Sequence, residues 1–380
     1  MISLGIDQID NIVHIFKNKK VGMLTNQTGV NKNLESSVDI LFSKVNLVAL
    51  FAPEHGIRGD IQAGEIVETY IDESTNLKVY TLYGKTKHPT QQMFDLIDIL
   101  VIDIQDIGSR FYTYISTMAY CMQSATRFNK EVVIFDRPNP MGGNLVEGNI
   151  IKEGFASFIG VYPIPQRHGL TIGELALLFN NKFKINCKLN IIKMKNWKRS
   201  MIFQDTGLQW VMPSPNMPTI ETVFAYNATC IFEGTNISEG RGTTKPFEYI
   251  GAPWIDGKIF SKKMNNKNLK GVYFRPIYFT PTFSKHQGQL CEGVQVHILD
   301  FKEVRPIEIS LHLLYEIKNF SEGKFEFLKP YKEGLKPMID YNTGDNLIRT
   351  TDFKPQQILE MWNEEVRAFC NYNKKHYTYE

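Results

Sequence analysis

Glu54 and His55 are the residues best suited to acid–base chemistry, because they directly follow a short apolar run. Residues 45–51 are apolar without a helical period, and Pro53 and Gly56 close the run, which predicts a buried strand ending in a loop. A carboxyl group at such a strand end, partly covered by a second lobe, is a candidate general acid because burial favours its protonated form. Glu54 could instead cap a turn or pair with a nearby arginine, and His55 could be a structural imidazole.

Asp106 offers a second carboxylate in a similar position. It follows Gln105 at the end of a second apolar run and precedes Arg110, so it is either a second acid or the partner of that arginine. Asp103 lies inside the same run, and we expect it to be a hydrogen-bonded structural residue.

Two further arginines and two tyrosines could bind a ligand. Arg137 and Arg241 could each hold a carboxylate or phosphate through two parallel hydrogen bonds, or organise a loop through an ion pair. Tyr112 and Tyr114 could stack on a sugar-like ligand, or pack a helix against a sheet. The residue types leave both alternatives open.

The N-terminal elements that must position these residues alternate between strands and helices. Strands are predicted at residues 21–25, 45–51, 77–83, 99–106 and 131–135, with helices at 33–44, 89–98 and 114–129. This alternation predicts an α/β fold with a parallel sheet and right-handed crossovers, in which the carboxyl ends of the strands share one edge. At that edge we expect a convergence of Asn26, Glu54, Tyr83, Asp106, Asp136 and Arg137.

After Gly142 the pattern changes to long polar loops separated by fewer regular elements. Thr171 followed by Glu174 has the pattern of a helix capping box. Further strands are predicted at 187–193 and 293–299, and further helices at 307–320 and 355–372. We therefore predict two domains, 1–143 and 144–380, the second with long cleft-lining loops.

Composition excludes several classes of protein. The net charge of +3 comes without a basic run beside an aromatic cluster, which argues against a nucleic-acid partner, and no window is apolar for long enough to cross a membrane. Five widely spaced cysteines without a CxxC pair predict reduced thiols and no metal site. The chain also lacks a P-loop, a GxGxxG strand-to-helix turn and a GxSxG elbow, so we predict no nucleotide cofactor and no serine nucleophile.

Six motifs, taken in order, resemble those of the bacterial exo-β-N-acetylmuramidase family (NamZ-like): FAPEHGIRGD, VIDIQDIGSRFYTYIST, FDRPNPMGG, PIPQRHGLTIGELA, PSPNMPT and FEGTNISEGRGTTKPFE. The resemblance implies a Rossmann-like N-terminal domain, a smaller α+β C-terminal domain and an active-site cleft between them. It implies release of N-acetylmuramic acid from the non-reducing ends of peptidoglycan fragments, with a peptidoglycan-derived glycan or disaccharide as the substrate and no cofactor. A non-catalytic muropeptide-binding protein on the same scaffold is the alternative.

The resemblance also implies roles for particular residues. Glycoside hydrolysis needs a proton donor for the leaving oxygen, assigned to Glu54, and a group that stabilises positive charge on the sugar, assigned to Asp106. In the alternative, substrate-assisted mechanism, the 2-acetamido oxygen attacks the anomeric carbon and a protein group only orients it. The lactyl carboxylate calls for a guanidinium, for which Arg110, Arg137 and Arg241 are available. The predicted substrate-binding set is Asn26, His55, Gln105, Arg110, Tyr112, Tyr114, Asp136, Arg137, Asn139, His168, Asn216, Glu233, Glu239, Arg241 and Thr243.

The N-terminal residues show no export signal, so we expect a cytoplasmic enzyme that acts on imported disaccharides. Removal of a leader would instead place the protein in the periplasm or outside the cell. The sequence leaves the oligomeric state open.

Overall fold

A seven-stranded, mostly parallel sheet organises the N-terminal part of the chain. The structure is a computed structural model that describes residues 2–58 and 68–380. The last two residues of the FAPEHGIRGD motif, Gly59 and Asp60, lie outside the described residues. The strand order is β3-β4-β2-β1-β5-β6-β7, with only β3 antiparallel to its neighbour. The strands are β1 (Val21–Thr25), β2 (Leu47–Ala52), β3 (Tyr70–Ile71), β4 (Lys78–Thr81), β5 (Ile99–Asp103), β6 (Glu131–Phe135) and β7 (Lys188–Ile192).

The central strands are apolar up to their last residues, Thr25 of β1 and Asp103 of β5, because both faces of the sheet are covered. All five residues of β1 and of β5 are buried. Neighbouring residues of one strand enter different cores: Leu24 and Ile102 belong to one core, whereas Met23 and Val101 belong to the other. Polar side chains are consequently concentrated beyond the ends of the strands, where the loops begin.

Helices cover the sheet and build most of the C-terminal part. The capping box predicted at Thr171 is present, since its hydroxyl accepts from the Glu174 N–H and the Glu174 carboxylate accepts from the Thr171 N–H. The α-helices of the described residues are α1 (Ile9–Ile12), α2 (Ser37–Lys44), α3 (Gln91–Phe94), α4 (Tyr114–Arg127), α5 (Ile172–Lys182), α6 (Ile220–Thr229), α7 (Gly257–Asn265), α8 (Pro306–Phe320), α9 (Met338–Thr343), α10 (Leu347–Thr350) and α11 (Pro355–Asn373).

A three-stranded antiparallel sheet, in the order β8-β10-β9, lies in the C-terminal part. Its strands are β8 (Tyr249–Ala252), β9 (Val272–Phe279) and β10 (Cys291–Ile298). Phe224 of α6, Phe274 of β9 and Leu314 of α8 belong to the same core as Ile102 of the large sheet. One continuous apolar core therefore joins the two parts of the chain.

The sequence predicts the parallel α/β arrangement correctly but misses several short elements. The prediction lacks the strands β3, β8 and β9 and the helices α6 and α7. Helix α3 is much shorter than predicted, since it begins after its cap, Thr90, and ends at Phe94. The domain boundary at residue 143 stays a prediction, and β7, which lies beyond it, pairs with β6 of the large sheet. Within the described ranges, every helix is too short or too polar to cross a lipid bilayer.

Candidate active site

A cavity of about 730 Å³ opens where residues from both parts of the chain meet. Glu54 and Tyr83 reach it from loops that begin at the ends of β2 and β4. Its lining is rich in aromatic rings and hydroxyl groups, as expected of a site that binds a sugar. The lining residues are Glu54, His55, Tyr83, Phe111, Tyr112, Thr113, Phe158, Ile159, Ser214, Asn216, Met217, Tyr226, Glu233, Arg241, Phe247, Phe283, Ser284 and Met338.

Glu54 is held at the cavity wall by a tight turn and by hydroxyl donors. β2 ends at Ala52, and His55 and Gly56 both have a φ of +73°, a left-handed conformation that is costly for a histidine. The Thr113 hydroxyl donates to Oε2 of Glu54 at 2.7 Å. Burial, together with the charge of Glu54 and a hydrogen bond to it, raises the pKa of Tyr83, so the phenol keeps its proton and donates to Glu54. The carboxylate is thus fixed by two neutral donors.

Glu233 is the other carboxylate in the lining of this cavity. Its Oε1 accepts from Nη2 of Arg241 at 2.7 Å, and its Oε2 accepts from the Cys230 thiol at 3.5 Å. Arg241 also lies 3.4 Å from Glu239, which in turn pairs with Lys285 at 2.7 Å. Burial lowers the pKa of Arg241, but the charges of Glu233 and Glu239 outweigh it, and the pKa lies above its ordinary value.

Asp106 lies behind the cavity wall and is absent from the lining. It is only 3% exposed, and its Oδ2 accepts from the Gly108 N–H at 2.7 Å and lies 3.2 Å from Nε2 of His168. Nδ1 of His168 accepts from the Leu170 N–H, which assigns the ring proton to Nε2 and makes His168 a donor to Asp106. The pair connects the loop after β5 with the loop before α5.

Two of the predicted ligand-binding arginines are used inside the fold. Arg137 donates to both carboxylate oxygens of Asp103, at 2.5 Å and 2.9 Å, and both side chains are buried. Arg110 is fully buried and donates to the carbonyls of Asn149, Ile164 and Asn342, and burial lowers its pKa. Asp103 is therefore a structural residue, as expected, and the cavity lining includes neither arginine.

Asp136 anchors the C-terminal end of the chain. Its carboxylate accepts from the Thr171 hydroxyl at 2.8 Å, from the Gly173 N–H at 2.8 Å and from the Tyr379 hydroxyl at 2.5 Å. Burial is the largest influence on this group and raises its pKa to about 6. The carboxylate therefore fastens the last residues to the end of β6 and lies outside the cavity lining.

The structure brings six of the predicted residues to the cavity: Glu54, His55, Tyr112, Asn216, Glu233 and Arg241. The other predicted residues organise loops around it. Asn26, Gln105, Tyr114, Asn139 and Thr243, for example, hydrogen-bond to neighbouring backbone groups.

Several lining residues are missing from the sequence-based site. Thr113 carries a weak signal, since it is a hydroxyl residue immediately before a predicted helix. Phe283 and Met338 carry none, because they come from a loop and from the start of α9, far along the chain. Within residues 2–58 and 68–380, no cluster of histidine, cysteine and acidic side chains could hold a metal ion.

Comparisons with known proteins agree over the full length of the chain. The family models "Exo-beta-N-acetylmuramidase NamZ, N-terminal" and "C-terminal" match residues 21–221 and 224–379. The peptidoglycan β-N-acetylmuramidase NamZ of Bacillus subtilis (strain 168) is 50% identical over 384 residues, covering 100% of this chain and 91% of that protein.

Two crystal structures of DUF1343 family proteins from Bacteroides fragilis NCTC 9343 have the same fold. They are 38% and 28% identical to this chain, with TM-scores of 0.91 and 0.78, and each match covers 100% of this chain and 99% of the other. Together with the two family models, these similarities show that the chain belongs to the NamZ exo-β-N-acetylmuramidase family.

Proposed function

We propose that this chain is an exo-acting β-N-acetylmuramidase that releases N-acetylmuramic acid from the non-reducing ends of peptidoglycan fragments. The observation that carries the proposal is Glu54, a carboxylate fixed by Thr113 and Tyr83 in the wall of a sugar-sized cavity. The full-length similarity to the Bacillus subtilis peptidoglycan β-N-acetylmuramidase supports the substrate class. The active-site cleft lies between a Rossmann-like N-terminal domain and a smaller C-terminal domain, and a cytoplasmic location remains a prediction from the sequence.

Glu54 serves as the general acid. Cleavage of a glycosidic bond leaves positive charge on the anomeric carbon and negative charge on the departing oxygen, so a proton must reach that oxygen as the bond breaks. The hydrogen bonds from Thr113 and Tyr83 orient the carboxyl group and restrict its rotamers, which places the proton where the leaving oxygen forms. Water then completes hydrolysis at the anomeric carbon.

Glu233 takes the second role, which the sequence assigned to Asp106. Glu233 faces the cavity with both oxygens held, whereas Asp106 is hydrogen-bonded to His168 and Gly108 behind the wall. A fixed carboxylate in the cavity suits either form of the reaction, because it can stabilise the positively charged sugar or orient the 2-acetamido group for attack. Arg241 and Cys230 then act as positioning residues.

The test compares two substrates that differ in their need for an acid. Glu54→Gln is expected to lower kcat/KM for the disaccharide N-acetylmuramyl-N-acetylglucosamine by about 10²- to 10⁴-fold. It should lower kcat/KM for 4-nitrophenyl β-N-acetylmuramide far less, because nitrophenolate leaves without a proton.

The matched control is Glu73→Gln, which alters an exposed glutamate and should behave as the wild type. An equal loss on both substrates would show that Glu54 is not the acid. Wild-type protein that binds the disaccharide without cleaving it would overturn the enzymatic proposal and favour the non-catalytic muropeptide-binding alternative.

A further inference from the structure

The proposed substrate carries a negative charge for which the cavity needs a cation. N-Acetylmuramic acid differs from N-acetylglucosamine by a lactyl ether whose carboxylate is ionised at neutral pH. Arg241 is the arginine in the lining, but its charge is already used. It pairs with Glu233 and Glu239, and Glu239 also pairs with Lys285, so two cations here face two carboxylates. No net positive charge is left in this group for a ligand.

Lys87 supplies a cation directly beside the cavity lining. Its Nζ lies 4.1 Å from the centre of the Phe158 ring, which is part of the cavity lining. The Phe158 ring in turn lies 6.0 Å from the ring of Tyr83, which donates to Glu54. A cation over an aromatic face is held in place while its N–H groups stay available to an anion. In the part of the chain that the structure describes, no ion pair joins Lys87 to a carboxylate.

The electrostatic surroundings of Lys87 favour an anionic ligand. Burial lowers the pKa of Lys87, and the charge of Glu54 partly offsets that effect. An anionic ligand beside the ammonium would offset it further, so binding of a carboxylate and retention of the positive charge favour each other.

The substrate's own geometry requires this arrangement. The lactyl ether at C3 and the scissile bond at C1 belong to one sugar ring, so the cation that binds the lactyl group must lie near the acid that protonates the leaving oxygen. Lys87 satisfies this requirement, because the Phe158 ring that it contacts lies 6.0 Å from the ring of Tyr83, which donates to Glu54. Arg110 and Arg137 do not, because both are buried and already used, Arg110 by three backbone carbonyls and Arg137 by Asp103.

We propose that Lys87 binds the lactyl carboxylate and thereby selects N-acetylmuramic acid over N-acetylglucosamine at the site of hydrolysis. This assignment rests on the proposed function, since it concerns the sugar that the same cavity cleaves. Phe158 is the platform that positions the ammonium group. Lys87 touches the substrate but takes no part in proton transfer, so its effect falls on substrate selection.

The test uses the disaccharide N-acetylmuramyl-N-acetylglucosamine and its analogue in which the lactyl carboxylate is a neutral amide. Wild-type protein is expected to prefer the acid over the amide by about 10- to 100-fold in kcat/KM, the effect of one charge-assisted hydrogen bond. Lys87→Gln should lose that preference by losing rate on the acid alone, and Lys87→Arg should restore part of it. Lys85→Gln, an exposed lysine of the same loop, is the matched control and should keep the full preference.

Calorimetry of the binding of N-acetylmuramic acid and of its neutral lactyl amide separates this proposal from the proposed function. If Lys87→Gln still prefers the acid as strongly as the wild type does, in binding or in turnover, Lys87 does not bind the lactyl group. The wild type could instead cleave neither disaccharide and still bind the acid more tightly than the amide. If Lys87→Gln lacks that preference in binding, the hydrolytic function fails and the role of Lys87 stands.

Discussion

Replacing Asp136 with asparagine is expected to remove a pH-dependent part of the free energy of unfolding. Asp136 is fully buried, and its pKa is raised from an ordinary value of 3.8 to about 6, first of all by burial. Hydrogen bonds from Tyr379, Gly173 and Thr171 oppose the rise but do not cancel it. The folded protein therefore binds a proton at this site more tightly than the unfolded chain does.

The sign and size of the effect follow from this difference. A raised carboxyl pKa stabilises the fold fully below pH 3.8, and that stabilisation is lost as the pH rises through about 6. At about 1.4 kcal/mol for each pH unit, the loss amounts to roughly 3 kcal/mol. An asparagine side chain has no charge to bury, so the Asp136→Asn variant should lack this loss. Broken hydrogen bonds add a pH-independent loss of about 1–3 kcal/mol in the variant. The variant should therefore be less stable than the wild type at pH 3.5 and equal or exceed it in stability by pH 7.

The assay is urea unfolding between pH 3.5 and 7, followed by tryptophan fluorescence. Trp197 is a local reporter, because its ring contacts that of Tyr379 at 5.0 Å. We expect the difference in unfolding free energy, wild type minus Asp136→Asn, to fall by roughly 3 kcal/mol across this range. Tyr379→Phe removes a donor that favours the ionised form, so its loss of stability with rising pH should be larger than that of the wild type. A difference between wild type and Asp136→Asn that stays constant with pH would refute the reasoning.

Two further predictions concern the cavity. Thr113→Val removes the hydroxyl that donates to Glu54 and should lower kcat/KM on the disaccharide by about 10-fold or more. Stability should change little, because the Thr113 side chain makes no capping hydrogen bond to α4. Unchanged turnover would contradict the proposed positioning of the acid. Glu233→Gln should lower kcat by about 10²- to 10³-fold in a folded protein, because Glu233 lines the cavity. Asp106→Asn should mainly lower the melting temperature, because Asp106 is hydrogen-bonded behind the cavity wall. The reverse pattern would return the second role to Asp106.

The position of Glu54 could be predicted from the sequence because it depends on local features. The apolar run of β2 ends at Pro53, and a strand that is buried on both faces must place its first polar side chain at its end. The start of α5 was predictable for the same reason, since the capping box of Thr171 and Glu174 is complete within four residues.

The use of the arginines could not be predicted in this way. Arg137 has the same side chain whether it waits for a ligand or pairs with Asp103, and the choice depends on strands β5 and β6 lying side by side. Phe283 and Met338 reach the cavity only because segments distant in the sequence fold over it. Such contacts depend on the packing of the whole chain, which no local pattern encodes.

Fewer carboxylates are available for proton transfer than the topology of the sheet suggests. Those that form ion pairs with arginines are already held by a cation. The carboxylates Asp103, Glu174 and Glu233 each accept from an arginine, which fixes their position. In residues 2–58 and 68–380, Glu54 forms no ion pair with arginine or lysine, and a hydroxyl and a phenol hold it instead. Hydroxyl donors fix the position of a carboxyl group without the strong, two-oxygen grip of an arginine. A group that must reach the leaving oxygen of a bound sugar needs an oxygen that no cation occupies, and for that reason we place the chemistry at Glu54.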